Sequence, residues 1–132
     1  MKAIIDTNAF VSGIIWSGKP AQIVSKWLSG EFELILSAEL LAEYVEVIER
    51  LSKNPELASH WQDKLIKKAT FVSVTHTVDI CRDPDDNFIL ALTLASGADY
   101  LITGDKDILT ISDFPIRIVS PATFLLEISS RH

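Results

Sequence analysis

The sequence has few of the residues that define disulfide-bonded, zinc-binding or membrane-spanning proteins. Cys81 is the only cysteine among 132 residues, which excludes an internal disulfide and a cysteine-rich zinc site. The histidines are scattered at His60, His76 and His132, so no pair has helical metal-binding spacing. No apolar run approaches the roughly 20 residues that a membrane-spanning helix needs, and the short apolar start before Asp6 does not resemble a secretory signal. We therefore expect a cytoplasmic protein with no membrane contact.

Basic residues are also scarce relative to acidic ones. The chain has 12 Lys and Arg against 18 Asp and Glu, a formal net charge of −6. Nucleic-acid binding normally requires an excess of basic residues, so the total charge argues against such a partner. The acidic residues, however, gather at a few positions, where bound cations would reverse the local sign. The charge therefore does not exclude a nucleic-acid substrate.

Apolar residues make up 48% of the chain, enough for one buried core, and no repeat or linker divides it. We predict a single domain over residues 1–132. Short apolar runs typical of buried strands occupy residues 3–5, 34–36, 71–74, 100–102 and 116–119. Helical patterns run from 20 to 30, 37 to 54, 56 to 68, 84 to 96 and 121 to 128. This alternation predicts an α/β fold, a three-layer α/β/α sandwich with a mainly parallel central sheet of about five strands.

Two acidic residues lie at or just beyond the ends of predicted strands. Asp6 ends the first strand, and Asp105 follows the fourth strand through Thr103 and Gly104, with Asp107 nearby. Ligand sites of parallel sheets lie beyond the carboxyl ends of the strands, so both acids are candidates for chemistry. Each also has an ordinary interpretation: Asp6 as a polar strand terminator or the cap of a following turn, and Asp105 as part of a turn.

Further acids lie on two predicted helices. The segment 83–87 opens a helix with three acids, and capping by Asp83 with Pro84 in the first turn explains part of that pattern. Glu43 lies in a row of acids on the helix that begins at Ser37, a row that also holds Glu39, Glu46 and Glu49. Such a row is usually a solvated face, and spacing alone does not choose among its members.

Carboxylates brought close together repel one another, so a fold tolerates a cluster of them chiefly when cations occupy it. Oxygen ligands favour Mg²⁺ or Mn²⁺. Such ions at an acidic sheet edge suit phosphodiester hydrolysis, because they bind phosphate oxygens, activate water and stabilise the leaving oxygen. A convergence of these acids would therefore indicate a metal-dependent nuclease.

Four segments together resemble a PIN domain over essentially the whole chain: 4–8, 37–43, 82–87 and 98–107. The resemblance implies a Mg²⁺- or Mn²⁺-dependent ribonuclease. Its catalytic and metal-binding positions would be the four acids Asp6, Glu43, Asp86 and Asp105. The resemblance further implies supporting roles in orienting the acids or their waters for Thr7, Asn8, Thr103 and Asp107.

Segments 82–87 and 104–107 resemble in particular the toxin components of toxin–antitoxin pairs, related to VapC-type ribonucleases. This similarity implies cleavage of RNA to a 5′-phosphate and a 3′-hydroxyl, a homodimer, and inhibition by a cognate antitoxin protein.

Two other functions are compatible with acids at strand ends. A phosphoryl-accepting or phosphatase-type domain shares this arrangement, but the haloacid-type signature requires a second Asp where this chain has Asn8. A catalytically silent RNA-binding module on the same fold is the other alternative, and the presence of all four acids gives no sign of lost activity.

Overall fold

The computed structural model describes residues 1–74 and 84–130, except for the side chains of residues 84–86. Its elements, in chain order, are β1 (Lys2–Ile5), α1 (Thr7–Ile15), α2 (Lys19–Leu28), β2 (Glu33–Leu36), α3 (Ala38–Ser52), α4 (Pro55–Lys68), β3 (Thr70–Phe71), α5 (Pro84–Ser96), β4 (Tyr100–Ile102), α6 (Lys106–Leu109), β5 (Arg117–Val119) and α7 (Pro121–Ser129).

The strands form one five-stranded sheet in the order β3-β2-β1-β4-β5, and every neighbouring pair is parallel. The central strand β1 pairs with β2 at Ala3 and Leu34 and with β4 at Ile4 and Leu101. This confirms the predicted α/β class and the expected strand number. Because the chain leaves β1 toward β2 and returns on its other side at β4, the strand order reverses between β1 and β4. That reversal point is where sheets of this type bind ligands.

Helices cover both faces of this sheet. Ala3, Ile4 and Ile5 are at most 2% exposed, and successive residues of a strand point to opposite faces. On one face α1 contacts both α2 and α3, and α3 contacts α4. Connections between parallel strands are almost always right-handed, and the strand order reverses before β4, so this rule assigns α5 to the opposite face. Leu90 and Leu92 of α5 are fully buried. The arrangement is the predicted three-layer sandwich.

An aromatic cluster joins the helices beside the central strand. The ring of Phe10 in α1 stacks on that of Tyr44 in α3, with 4.3 Å between centroids. The Phe10 ring also makes T-shaped contacts with Trp27 of α2 and Trp61 of α4, with 6.1 Å between ring centroids in each pair. Because these aromatic rings bury large areas, they hold the start of α1 and the middle of α3 in a fixed relation.

Two helices, α1 and α6, were not predicted from the sequence, which indicated turns after Asp6 and Asp105. The chain instead enters a helix immediately after each acid. Strand β3 is also shorter than predicted, covering Thr70–Phe71, although the amide of Val72 still donates to the carbonyl of Leu36 at 2.8 Å. Ser37 is an N-cap as expected, with its Oγ accepting from the amide of Leu40 at 3.1 Å.

No helix in residues 1–74 and 84–130 is both long enough and apolar enough to cross a membrane.

Candidate active site

Asp6 lies between the ends of the two central strands. Its amide donates to the carbonyl of Ile102 at the end of β4, 2.9 Å away. Its Oδ1 accepts from the amide of Ala9 at 2.8 Å and so caps α1. Its Oδ2 accepts from the hydroxyl of Thr103. The carboxylate is therefore oriented from both sides, by α1 and by the loop that follows β4.

The environment of Asp6 favours its neutral form. Asp6 is only 9% exposed, and this burial raises the pKa of its carboxyl group. The hydrogen bonds from Thr103 and Ala9 lower the pKa, but the negative charges of Asp105 and Glu43 raise it again, and the net pKa shift is upward. At neutral pH this carboxylate is ionised at a cost in free energy, which a bound cation would offset.

Glu43 is the acid of the α3 row that faces Asp6. The hydroxyl of Thr7, the first residue of α1, donates to Glu43 Oε1 at 2.6 Å. Glu46, about one turn further along α3, instead pairs with Arg50 on the exposed surface, with 3.5 Å between Glu46 Oε1 and Arg50 Nε. The structure thus separates Glu43 from its neighbours, a distinction that helical spacing could not make.

Tyr44, the next residue of α3, helps to hold Glu43 in position beside Asp6. It is fully buried, and its hydroxyl donates to the carbonyl of Ile5 at the end of β1. Burial raises the pKa of Tyr44 well above its usual value, and the charges of Asp6 and Glu43 raise it further. The phenol therefore stays protonated and keeps donating. The sequence does not reveal this role, since nothing in the pattern identifies the partner of the Tyr44 hydroxyl.

Asp105 caps α6 in the same way that Asp6 caps α1. Its Oδ1 accepts from the amide of Asp107 at 2.8 Å, and its own amide donates to Thr103 Oγ at 3.0 Å. Thr103 is fully buried and thus connects the two acids, donating to Asp6 and accepting from the backbone of Asp105. Asp107 is exposed, and its backbone amide is what contacts Asp105.

These side chains surround one pocket of about 90 Å³. Its polar lining is Asp6, Thr7, Asn8, Glu43 and Asp105, and its apolar lining is Leu40, Phe88, Ile89 and Ile108. The structure therefore brings together three of the four predicted acids and two of the predicted supporting residues, while Thr103 lies directly behind Asp6.

Asp86, the fourth predicted acid, lies in the first turn of α5, and its side chain is outside the described part of the structure. The same helix contributes Phe88 and Ile89 to the pocket wall, so the backbone of its first turn runs close to the site. Asp83 lies outside the described residues altogether, and the side chain of Asp85 is likewise not described.

The donor chemistry of the pocket fits a hard divalent cation, because all its charged donors are carboxylate oxygens. Within residues 1–74 and 87–130, no three Asp, Glu, His or Cys side chains are grouped closely enough to hold a metal ion. The described acids are therefore a partial ligand set. A complete set requires a further donor or a small movement of the side chains.

Residues 2–107 match a family model described as PIN domain. The chain belongs to the PIN domain family. PIN domains are in general nucleases and usually use a divalent metal. None of the curated proteins matches this chain in sequence. The matched part of the PIN domain runs from β1 into α6 and leaves β5 and α7 outside.

Proposed function

We propose that this PIN domain is a Mg²⁺- or Mn²⁺-dependent endoribonuclease whose acidic centre consists of Asp6, Glu43, Asp86 and Asp105. The observation that carries the proposal is that Asp6, Glu43 and Asp105 come from separate elements and line a single pocket at the strand reversal point. The charges of Glu43 and Asp105 each raise the pKa of Asp6, which indicates that both carboxylates lie close enough to act on Asp6.

Asp6, Asp86 and Asp105 would hold the metal, and Glu43 would bind it or position the attacking water. A bound divalent cation would supply positive charge for the phosphate and activation of water. The chain itself keeps the carboxylates in place: Thr103 fixes Asp6, and Thr7 fixes one oxygen of Glu43. The apolar side chains of Leu40, Phe88 and Ile108 exclude bulk water from one side of the pocket, which strengthens electrostatic interactions inside it.

The contacts of Asp6 argue against the phosphoryl-accepting alternative. A nucleophilic carboxylate must present an accessible oxygen to phosphorus, whereas Asp6 is 9% exposed and both of its oxygens accept hydrogen bonds from the chain. Those contacts suit a metal ligand of fixed orientation better than a nucleophile.

The toxin role, the cognate antitoxin, the homodimer and the cytoplasmic setting belong to the same proposal. The first three rest on the resemblance of segments 82–87 and 104–107 to toxin components of toxin–antitoxin pairs. The cytoplasmic setting rests on Cys81 being the only cysteine, which excludes an internal disulfide. If the chain is a toxin, its induced expression should stop growth of a bacterial culture, and the Asp6→Asn variant should not.

Cleavage of labelled RNA oligonucleotides in Mg²⁺, Mn²⁺ or EDTA tests the enzymatic part. Asp6→Asn preserves the volume and the helix cap but removes the charge, so cleavage should fall at least about 100-fold, beyond the usual effect of losing a supporting contact. Asp63→Asn is the matched control, since Asp63 is an exposed acid on α4. Metal-dependent cleavage by Asp6→Asn at the wild-type rate would refute the proposal.

A further inference from the structure

A second pocket adjoins the acidic one on the other side of Asp6 and Asp105. It has a volume of about 340 Å³ and shares Asp6, Asn8 and Asp105 with the first pocket. Its remaining lining comes from α1, the start of α2, the loop after β4 and the start of α7, through Ala9, Ser12, Pro20, Gly104 and Pro121. The two pockets therefore meet at the two acids Asp6 and Asp105, which line both of them.

The two pockets differ in size and therefore in what they can hold. The acidic pocket, at about 90 Å³, is the smaller of the two and suits ions and a phosphate oxygen. The second pocket, at about 340 Å³, lies within the range of about 300–1,000 Å³ that is usual for small-molecule sites. A base with its sugar is a ligand of that class.

Glycine at position 13 allows the outer wall of the second pocket to form. A Cβ at Gly13 would lie 2.6 Å from the carbonyl oxygen of Pro20 and 2.7 Å from Val24 Cγ2. Only glycine permits α1 and α2 to approach this closely, and the approach brings Pro20 beside α1. Pro121 stands at the start of α7, so both prolines are fixed by the first turn of a helix. The wall is thus rigid before any ligand binds.

We propose that this second pocket is the subsite for the nucleoside next to the cleaved phosphate. The inference rests on the proposed nuclease function and adds to it the residues that select the substrate. An uncharged nucleoside tolerates the neighbouring carboxylates, whereas another phosphate would be repelled by them. Pro20 and Pro121 present apolar ring surfaces to the base, and Asn8 and Ser12 present polar groups to its edge or to the ribose.

One wall of the subsite comes from α7. Pro121 lies outside the segment that matches the family model, which ends at residue 107. The proposed subsite therefore combines residues inside the matched segment with a wall from the part of the chain that follows it.

Substitutions from two opposite walls test the subsite. A Cβ at Gly104 would meet no atom within 4 Å, so Gly104→Leu adds bulk without a steric clash at its Cβ. Ser12→Leu adds bulk from α1. We expect KM for RNA to rise at least tenfold in both leucine variants, with kcat within about threefold of wild type, and the base preference at one position to change. Ser59→Met, which adds similar bulk at an exposed position of α4 outside both pockets, is the matched control and should stay within twofold of wild type.

A binding measurement separates this inference from the nuclease proposal. The four nucleoside 5′-monophosphates, titrated into the wild-type protein with Mg²⁺, should shift the amide resonances of Gly104 and Ser12, and both leucine variants should weaken that binding at least tenfold. Binding at these residues without RNA cleavage would contradict the nuclease proposal but support the subsite. Wild-type KM, base preference and nucleotide binding in both leucine variants would overturn the subsite alone.

Discussion

Asp6 combines two roles that the sequence presented as alternatives. Its Oδ1 caps α1, the ordinary structural role for an Asp after a strand, while its Oδ2 meets Thr103 at the wall of the acidic pocket. Asp105 likewise caps α6 and lines the pocket. Because a capping carboxylate is held in one orientation by backbone amides, the cap itself prepares the side chain for a metal.

The raised pKa of Asp6 leads to a prediction about stability without metal. A carboxyl group whose pKa is higher in the folded state stabilises the fold fully below its unfolded pKa, and this contribution is lost as pH rises through the folded pKa. In EDTA at neutral pH, Asp6→Asn should therefore be more stable than wild type, by about 0.5–2 kcal/mol.

Urea unfolding of both proteins across a pH series measures this difference. The advantage of Asp6→Asn should grow as pH rises through the folded pKa of Asp6 and then level off. A variant that is less stable than wild type at neutral pH in EDTA would show that burial and the neighbouring charges do not penalise the ionised carboxylate.

The hydroxyl of Thr103 should contribute both to stability and to metal affinity. Thr103→Val removes the donor to Asp6 and the acceptor for the amide of Asp105, so we expect a loss of about 1–2 kcal/mol in unfolding free energy. Mn²⁺ affinity should fall about 10- to 100-fold, because both acids lose a fixed orientation. Calorimetric titration with Mn²⁺ measures the second effect.

Thr93→Val is the control for that variant. Thr93 is also fully buried, and its hydroxyl donates to the carbonyl of Ile89 at 2.7 Å within α5. It should lose similar stability while keeping the wild-type Mn²⁺ affinity. An equal loss of Mn²⁺ affinity in both valine variants would mean that Thr103 acts only through general stability.

Among the elements, the strands and long helices were predictable and the two helices at the site were not. Buried strands such as β1 are continuous apolar runs, and α3 and α4 carry clear apolar stripes with caps at Ser37 and Asn54. Helix α6 has only four residues, too few for periodicity to be visible. Helix α1 contains Gly13 and several β-branched residues, which favour helix less than Ala or Leu, so its sequence does not read as a helix.

Gly13 gives a test of how α1 and α2 pack. Glycine inside a helix is usually less stable than alanine by about 1 kcal/mol, so Gly13→Ala would stabilise an isolated α1. In the protein, the new Cβ would lie 2.6 Å from the carbonyl oxygen of Pro20, and backbone cannot move aside cheaply. We therefore expect Gly13→Ala to lower the unfolding free energy by about 1–3 kcal/mol in urea titrations.

Gly104→Ala is the comparison for this change, because a Cβ there meets nothing within 4 Å. It should unfold at nearly the wild-type urea concentration. A Gly13→Ala protein as stable as wild type would mean that α1 and α2 separate easily, and the second pocket would then lack a rigid wall.

For the chain as a unit, the alternation of strands and helices predicted the class, and the resemblance to PIN domains predicted which acids to examine. The strand order could not be read from the sequence, since parallel strands carry no record of which neighbours they pair with. The choice of Glu43 by geometry depends on the rotation of α3, which Tyr44 sets through its buried contacts with Phe10 and Ile5. The rotation of α3 is set by tertiary contacts, and no local sequence pattern reveals it.

The idea on which the proposals depend is that carboxylates from distant parts of the chain share a divalent cation. Thermal unfolding with and without Mn²⁺ tests it in wild type, Asp6→Asn, Glu43→Gln, Asp86→Asn, Asp105→Asn and the surface control Asp63→Asn. At a free Mn²⁺ concentration of 100 times Kd, binding should add about 2.7 kcal/mol to wild-type stability, which corresponds to a Tm increase on the order of 10 °C. Asp63→Asn should show the same increase, and the four pocket variants a smaller one or none. An increase as large in Asp6→Asn and Asp105→Asn as in wild type would contradict a metal site at this pocket.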